Sequence, residues 1–178
     1  MGGRIILQGD LVKLRQPELE DLDVLLSWEN DPAFWNISHT LAPFSKIAMQ
    51  RYIEGASADI LTAKQLRLMM VDRTNFRCVG AIDLFDYDPV NARAGVGILI
   101  GLESDRHQGY ATDALRTVIH YAGEILQLHQ LYAHIFPENT ASIRLFERCG
   151  FQHTGTRKDW VKQRGAFQDE WIFQRIGL

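Results

Sequence analysis

Apolar residues recur along the chain at two periods, and the changes between them mark out its elements. From Asp10 to Gln16 (DLVKLRQ) they fall on every second position, which predicts a strand with one buried face. Pro17 suits the first turn of a helix, with Glu18 and Glu20 near its positive end. Leu19, Leu22, Leu25, Leu26 and Glu29 keep helical spacing until Asp31-Pro32 ends it. A loop rich in aromatics and hydroxyls follows (AFWNISHTLAPFS), and Ser45 to Gly55 reads as a second helix. Lys64 to Asp72 and Arg77 to Tyr87 read as strands joined near Thr74-Asn75, with the next turn at Asp88-Pro89-Val90-Asn91. In the strand Ala92 to Ile100, Ala94, Val96, Ile98 and Ile100 point to one side, while Gly95 and Gly97 leave the other bare. Glycine inside a strand marks close approach by a ligand or by another part of the chain, and both readings stay open here.

Beyond it, Ala111, Ala114, Leu115, Val118, Ile119, Ala122 and Leu126 form the buried stripe of a long helix. Leu131 to Phe136 is a short strand. Asn139 can cap a further helix that runs to Cys149 and stops at Gly150. Two long strands then flank a hairpin at Gln163-Arg164-Gly165. The 178 residues contain no repeat and no linker, so a single domain over 1–178 is expected.

Composition narrows the class. A hydrophobic content of 46% without low-complexity tracts fits a globular protein, and no apolar run is long enough to span a bilayer. Nineteen basic against 22 acidic side chains give a net charge of −3, which argues against nucleic acid as the main partner. Cys78 and Cys149 are isolated, without metal-ligand spacing, so free thiols and no bound metal are expected. The start lacks a signal-peptide pattern, and cytoplasm is the expected compartment.

The chemistry concentrates in Gly101 to Thr112, GLESDRHQGYAT. An Arg106-x-x-Gly109-x-Ala111 turn there joins the glycine-bearing strand to the long helix. Small residues at such a turn let free N–H groups converge on an anion at the positive end of the helix, and Arg106 adds a fixed charge. A pyrophosphate is the natural ligand. The Gly-Lys-Ser/Thr ending of a P-loop is missing, and so are the three spaced glycines of a dinucleotide turn. What the turn resembles is the acetyl-CoA turn of the GNAT superfamily of N-acetyltransferases, Gln/Arg-x-x-Gly-x-Gly/Ala. The stretch NTASIRLFERCGF, Asn139 to Phe151, is similar to that family's Asn-x-x-Ser/Ala-x-x-x-Tyr/Phe-x-x-x-Gly-Phe segment, in the right order and spacing. In overall layout the chain resembles the ribosomal-protein (Rim-type) and spermidine branches.

The resemblance implies an α/β (α+β) fold: one mixed, mostly antiparallel twisted sheet with helices on both faces. The strands carrying Gly95 and His134 would splay apart, and acetyl-CoA would lie in that wedge. Its implied contacts are Leu99, Ile100 and Gly101, the turn residues Arg106, His107, Gln108, Gly109, Tyr110, Ala111 and Thr112, and Asn139, Ser142 and Phe146. Backbone N–H groups near Leu99 or Ile100 are candidates to hold the developing oxyanion. Many relatives carry a Tyr where this chain has Phe146, which cannot donate a proton to the departing thiolate. Phe146 is then core or a wall against the pantetheine. Ser142, one turn earlier, substitutes as in the Rim type or is merely a cap. Asp83 is the first candidate for general base, or else it pairs with an arginine; His134 is a weaker one. The acceptor amine would lie against Trp35, Asn36, His39 and Asp83, with Trp160 and Trp171 closing the other side, or else these aromatics are simply packing. From Pro32 to Ile53 there is no acidic residue, so a polycation finds little attraction there. The implied activity is acetyl transfer to a protein N-terminus, a polyamine or another small amine. A non-catalytic acyl-CoA-binding module is the alternative. Many relatives are dimers, and a homodimer is left open.

Overall fold

A computed structural model describes residues 7–32, 35, 42–56, 59–163 and 165–178. Its strands are β1 (Val12–Arg15), β2 (Leu66–Asp72), β3 (Cys78–Asp88), β4 (Arg93–Ile100), β5 (Gln130–Ile135), β6 (Gln152–Gln163) and β7 (Ala166–Ile176). They form one sheet in the order β1-β2-β3-β4-β5-β7-β6. All neighbouring pairs are antiparallel except β4 and β5. The helices are α1 (Leu22–Glu29), α2 (Lys46–Gly55), a single turn α3 (Ile60–Ala63), α4 (Tyr110–Glu124) and α5 (Thr140–Arg148).

Two apolar clusters place the helices on opposite faces. On what we call the back face, Leu115, Val118 and Ala122 of α4 and Phe146 of α5 pack with Val96, Leu84, Ile82 and Leu131 of the sheet. On the front face, Leu25 and Trp28 of α1 and Met49 and Ile53 of α2 pack with Met69 and Ala81. Each fully buried Leu, Val or Ile contributes about 1.5–3 kcal/mol. No described helix is long and apolar enough to cross a membrane.

The elements follow the periodicity, with two differences. Pro17 does not start α1. Asp21 accepts from the Glu18 amide at 2.9 Å and from Arg15 at 2.6 and 2.9 Å, and this ties Leu19–Asp21 into a 3-10 turn first. The turn α3 was not anticipated: Asp59 caps it and Lys64, at φ +54°, ends it, and four residues are too few to show a period.

The pairing of β4 with β5 positions the site. It runs only from Arg93↔Gln130 through Ala94↔Leu131 to Gly95↔Tyr132, although both strands continue. Beyond that point β4 is held by β3 and β5 by β7, and a wedge opens between them.

Candidate active site

The Gly101 amide donates to Val79 at 3.0 Å, which sets the hydrogen-bond phase of the β3–β4 ladder. In an antiparallel pair the bonded residues alternate, so Leu99 and Gly97 point their backbone groups at β3. Ile98 and Ile100 therefore turn their N–H and C=O groups to the wedge side. Of the two amides considered for the oxyanion, Ile100 faces the wedge and Leu99 does not. Gly101, expected as a cofactor contact, has its amide used by Val79 and the Trp28 indole beside its Cα.

The front side of β4 is not bare. A Cβ at Gly95 would overlap Cε2 of Phe85, so this glycine makes room for the Phe85 ring. At Gly97 the nearest such contact is 3.8 Å, and only there does the front side of the strand stay open.

At the mouth of the wedge the turn from Arg106 to Thr112 opens α4. Gly109 is the N-cap at φ +90°, and His107 stands at φ +62°. Left-handed residues spaced this way turn successive amides to one side, as anion-binding nests do. No side chain caps the helix, and the first backbone bond runs from the Asp113 amide to the Gly109 carbonyl. Among the described residues no group accepts from the amides of His107 to Thr112. Arg106 is exposed and without a carboxylate partner among them. A diphosphate fits these donors.

Three ties hold the turn to the sheet, and none was foreseen from sequence. Arg77 grips Asp105 through two bonds of 2.6 and 2.8 Å. The Tyr110 hydroxyl donates to Asp72 at 2.6 Å. The Asp113 carboxylate accepts the amides of Asp10, Leu11 and Val12 at 2.8–2.9 Å. The hydrogen bonds from Arg77 and Tyr110 hold the Asp105 and Asp72 carboxyls below their usual range. The only sequence signal was the run of acids around an anion-binding turn, which is out of place unless each acid is paired.

Asn139 caps α5 by accepting the Ser142 amide at 3.1 Å. That leaves the Ser142 hydroxyl without a protein partner among the described residues, so it is not the helix cap. Phe146, expected at the cofactor, is only 3% exposed and meets Phe151 edge-on at 4.9 Å. It is core and not a wall of the wedge.

Asp83, considered as the base, is held by an arginine. Arg67 donates Nε and Nη2 to its two oxygens at 2.7 and 3.1 Å, and Nη1 to Glu29 at 2.6 Å. The triad is mostly buried, with Arg67 over the Tyr52 ring at 5.3 Å. Burial lowers the Arg67 pKa, but Asp83 outweighs it and the net shift is upward. Burial likewise pushes the Tyr52 hydroxyl up to about 12. Both oxygens of Asp83 are thus engaged by the guanidinium of Arg67.

Trp35 donates its indole N–H to the Glu29 carbonyl at 2.8 Å, beside that triad. Asn36 and His39 lie outside the described residues. Trp171 faces the back, packed with His153 and Phe173, and so does not close the front. Trp160 is exposed under Arg157. Beside the wedge on the front face is a cavity of about 530 Å³ lined by Asp86, Arg93, Tyr132, His134 and Arg157, among others. Among the described residues no group of three His, Cys, Asp or Glu is placed to hold a metal.

Comparison with known proteins accords with this geometry. Residues 12–152 match the family described as acetyltransferase (GNAT) domain. The chain is 29% identical over 171 residues to the uncharacterized N-acetyltransferase p20 of Bacillus licheniformis, covering 96% of this chain and 95% of that protein. It is 27% identical over 103 residues to spermidine N(1)-acetyltransferase of Vibrio cholerae, over 58% of this chain and 59% of that one. The crystal structure of the V. cholerae spermidine N-acetyltransferase with CoA and spermine superposes with a TM-score of 0.83. That match covers 94% of this chain and 96% of the other at 21% identity, and it establishes the fold. With most of its length matched to the family, the chain belongs to the GNAT acetyltransferases and is an N-acetyltransferase.

Proposed function

We propose that this protein transfers the acetyl group of acetyl-CoA to a primary amine by direct attack. Bound acetyl-CoA supplies a thioester, whose carbonyl carbon is open to an amine and whose thiolate is the leaving group. The observation that carries the reading is the row of unpartnered amides from His107 to Thr112 at the mouth of the wedge. Those amides, with Arg106, hold a diphosphate. The wedge-facing amides of Ile98 and Ile100 bind the arm and donate to the carbonyl oxygen as charge develops there. The Ser142 hydroxyl, on the first turn of α5, supplies the proton to the departing thiolate.

The acceptor is a primary amine: a polyamine, a protein N-terminus or another small amine. The relative from V. cholerae, named for spermidine, supports the first. The front face adds carboxylates at Glu29, Asp83, Asp86, Asp88 and Glu170 against guanidinium groups at Arg67, Arg93 and Arg157. This surplus of acids favours a cationic acceptor.

The test is thiol release from acetyl-CoA in the presence of a panel of amines and N-terminal peptides. Acceptor-dependent release is the expected result. Tight CoA binding with no acceptor-dependent release would make the protein a non-catalytic acyl-CoA-binding module.

A further inference from the structure

Attack by an amine requires that its ammonium proton be taken first, and Arg67 occupies the carboxylate best placed in sequence to take it. We infer that His134 is the general base and that buried Glu170 is its positioning residue; this rests on the acetyl-transfer reading above. His134 lies on β5 two residues past Tyr132, the last residue paired with β4, where the two strands part. It faces the front, as Tyr132 does, and lines the cavity of about 530 Å³ there. Its Nδ1 stands 3.5 Å from Oε2 of Glu170, whose side chain is only 5% exposed. Arg157 donates to the same oxygen at 2.9 Å, so the buried carboxylate is paired.

That arrangement has a specific consequence for the imidazole. A carboxylate on the Nδ1 side favours the tautomer protonated there, which makes Nε2 the basic nitrogen. It also stabilises the imidazolium once formed. Phe85, at 6.5 Å between ring centroids, and Tyr132, at 5.4 Å, flank the ring. In the proposed step one N–H bond of R–NH3+ breaks and its electron pair stays on the amine nitrogen. The proton forms a bond to Nε2, giving R–NH2 and imidazolium, and then leaves to solvent through the cavity.

The charges around His134 set its response to pH. Glu170 on β7 favours the imidazolium and Arg157 on β6 opposes it; Asp86 and Asp88 of β3 and Arg93 of β4 line the same cavity. Tyr132 does not compete for the proton, because burial pushes its hydroxyl up to about 12.

The experiment measures kcat/KM from pH 5 to 10 for the whole chain, His134→Gln and Glu170→Gln, by thiol release with one amine that the parent accepts. CoA affinity and melting temperature are read in parallel. His134→Gln is expected to lose the acidic limb of the profile and about 100-fold in kcat/KM at neutral pH, with CoA affinity unchanged. Glu170→Gln is expected to shift that limb to lower pH, since the imidazolium loses its carboxylate. NMR titration of the His134 ring, which needs no turnover, should show the same downward shift in Glu170→Gln. An active parent whose acidic limb survives His134→Gln overturns the inference alone, as does an unmoved NMR midpoint. A parent that releases no thiol with any amine overturns the acetyl-transfer reading and this inference with it.

Discussion

Arg67 is the side chain on which the front face depends. Its guanidinium serves Asp83 and Glu29 together in a mostly buried setting, so removing it strands two carboxylates. Arg67→Ala should cost about 3–5 kcal/mol in denaturant unfolding. Asp83→Asn should lower stability but reduce kcat by less than 10-fold, because this carboxylate is structural; loss of the acidic limb of the rate profile in that variant would return Asp83 to the role of base. At Ser142 the split is the reverse. Ser142→Ala should lower kcat by about 100-fold with CoA affinity unchanged in calorimetry, since the cap is Asn139 and survives the change. Retained turnover would remove Ser142 from the chemistry. Sequence made Asp83 conspicuous as a carboxylate among apolar neighbours. It could not show that Arg67, sixteen positions earlier, lies directly across the ladder.

At the scale of elements, two glycines do different work. Gly109 holds φ +90° at the start of α4, where a side chain costs about 1–2 kcal/mol and would meet Leu11 at 3.0 Å. Gly109→Ala should therefore raise the dissociation constant of CoA about tenfold by turning the amides from their common focus. An unchanged constant would show that those amides do not hold the ligand. Gly95 instead admits the Phe85 ring between strands. Gly95→Ala should lower the melting temperature, and Phe85→Leu in the same chain should restore part of it. The glycine pattern of β4 was plain in the sequence, yet its cause differs at each position, because the occupant of the space comes from the neighbouring strand.

The whole molecule joins the anion-binding turn to the start of β1, the end of β2 and the residue before β3 through Asp113, Asp72 and Asp105. The Asp105 and Asp72 carboxyls are held below their usual range, chiefly by the hydrogen bonds from Arg77 and Tyr110. The folded state therefore takes up their protons less readily than the unfolded chain. The stability they contribute is complete above the unfolded value near ~4 and is lost as pH falls through the lower folded values. Melting temperature should drop between pH 5 and 3, and Asp105→Asn should flatten that drop; an equally steep drop would mean that the Arg77 tie adds nothing. By itself the sequence determined the order of the elements, the turn at Arg106–Thr112 and the Asn139 cap. These depend on local spacing, backbone freedom and helix ends, which neighbours along the chain dictate. Only the tertiary structure decided where β4 and β5 part, that Phe146 belongs to the core, that Asp83 is bound to Arg67, and that His134 meets Glu170. Each of these joins residues distant in sequence, and their meeting depends on strand register and on which face of the sheet each side chain takes.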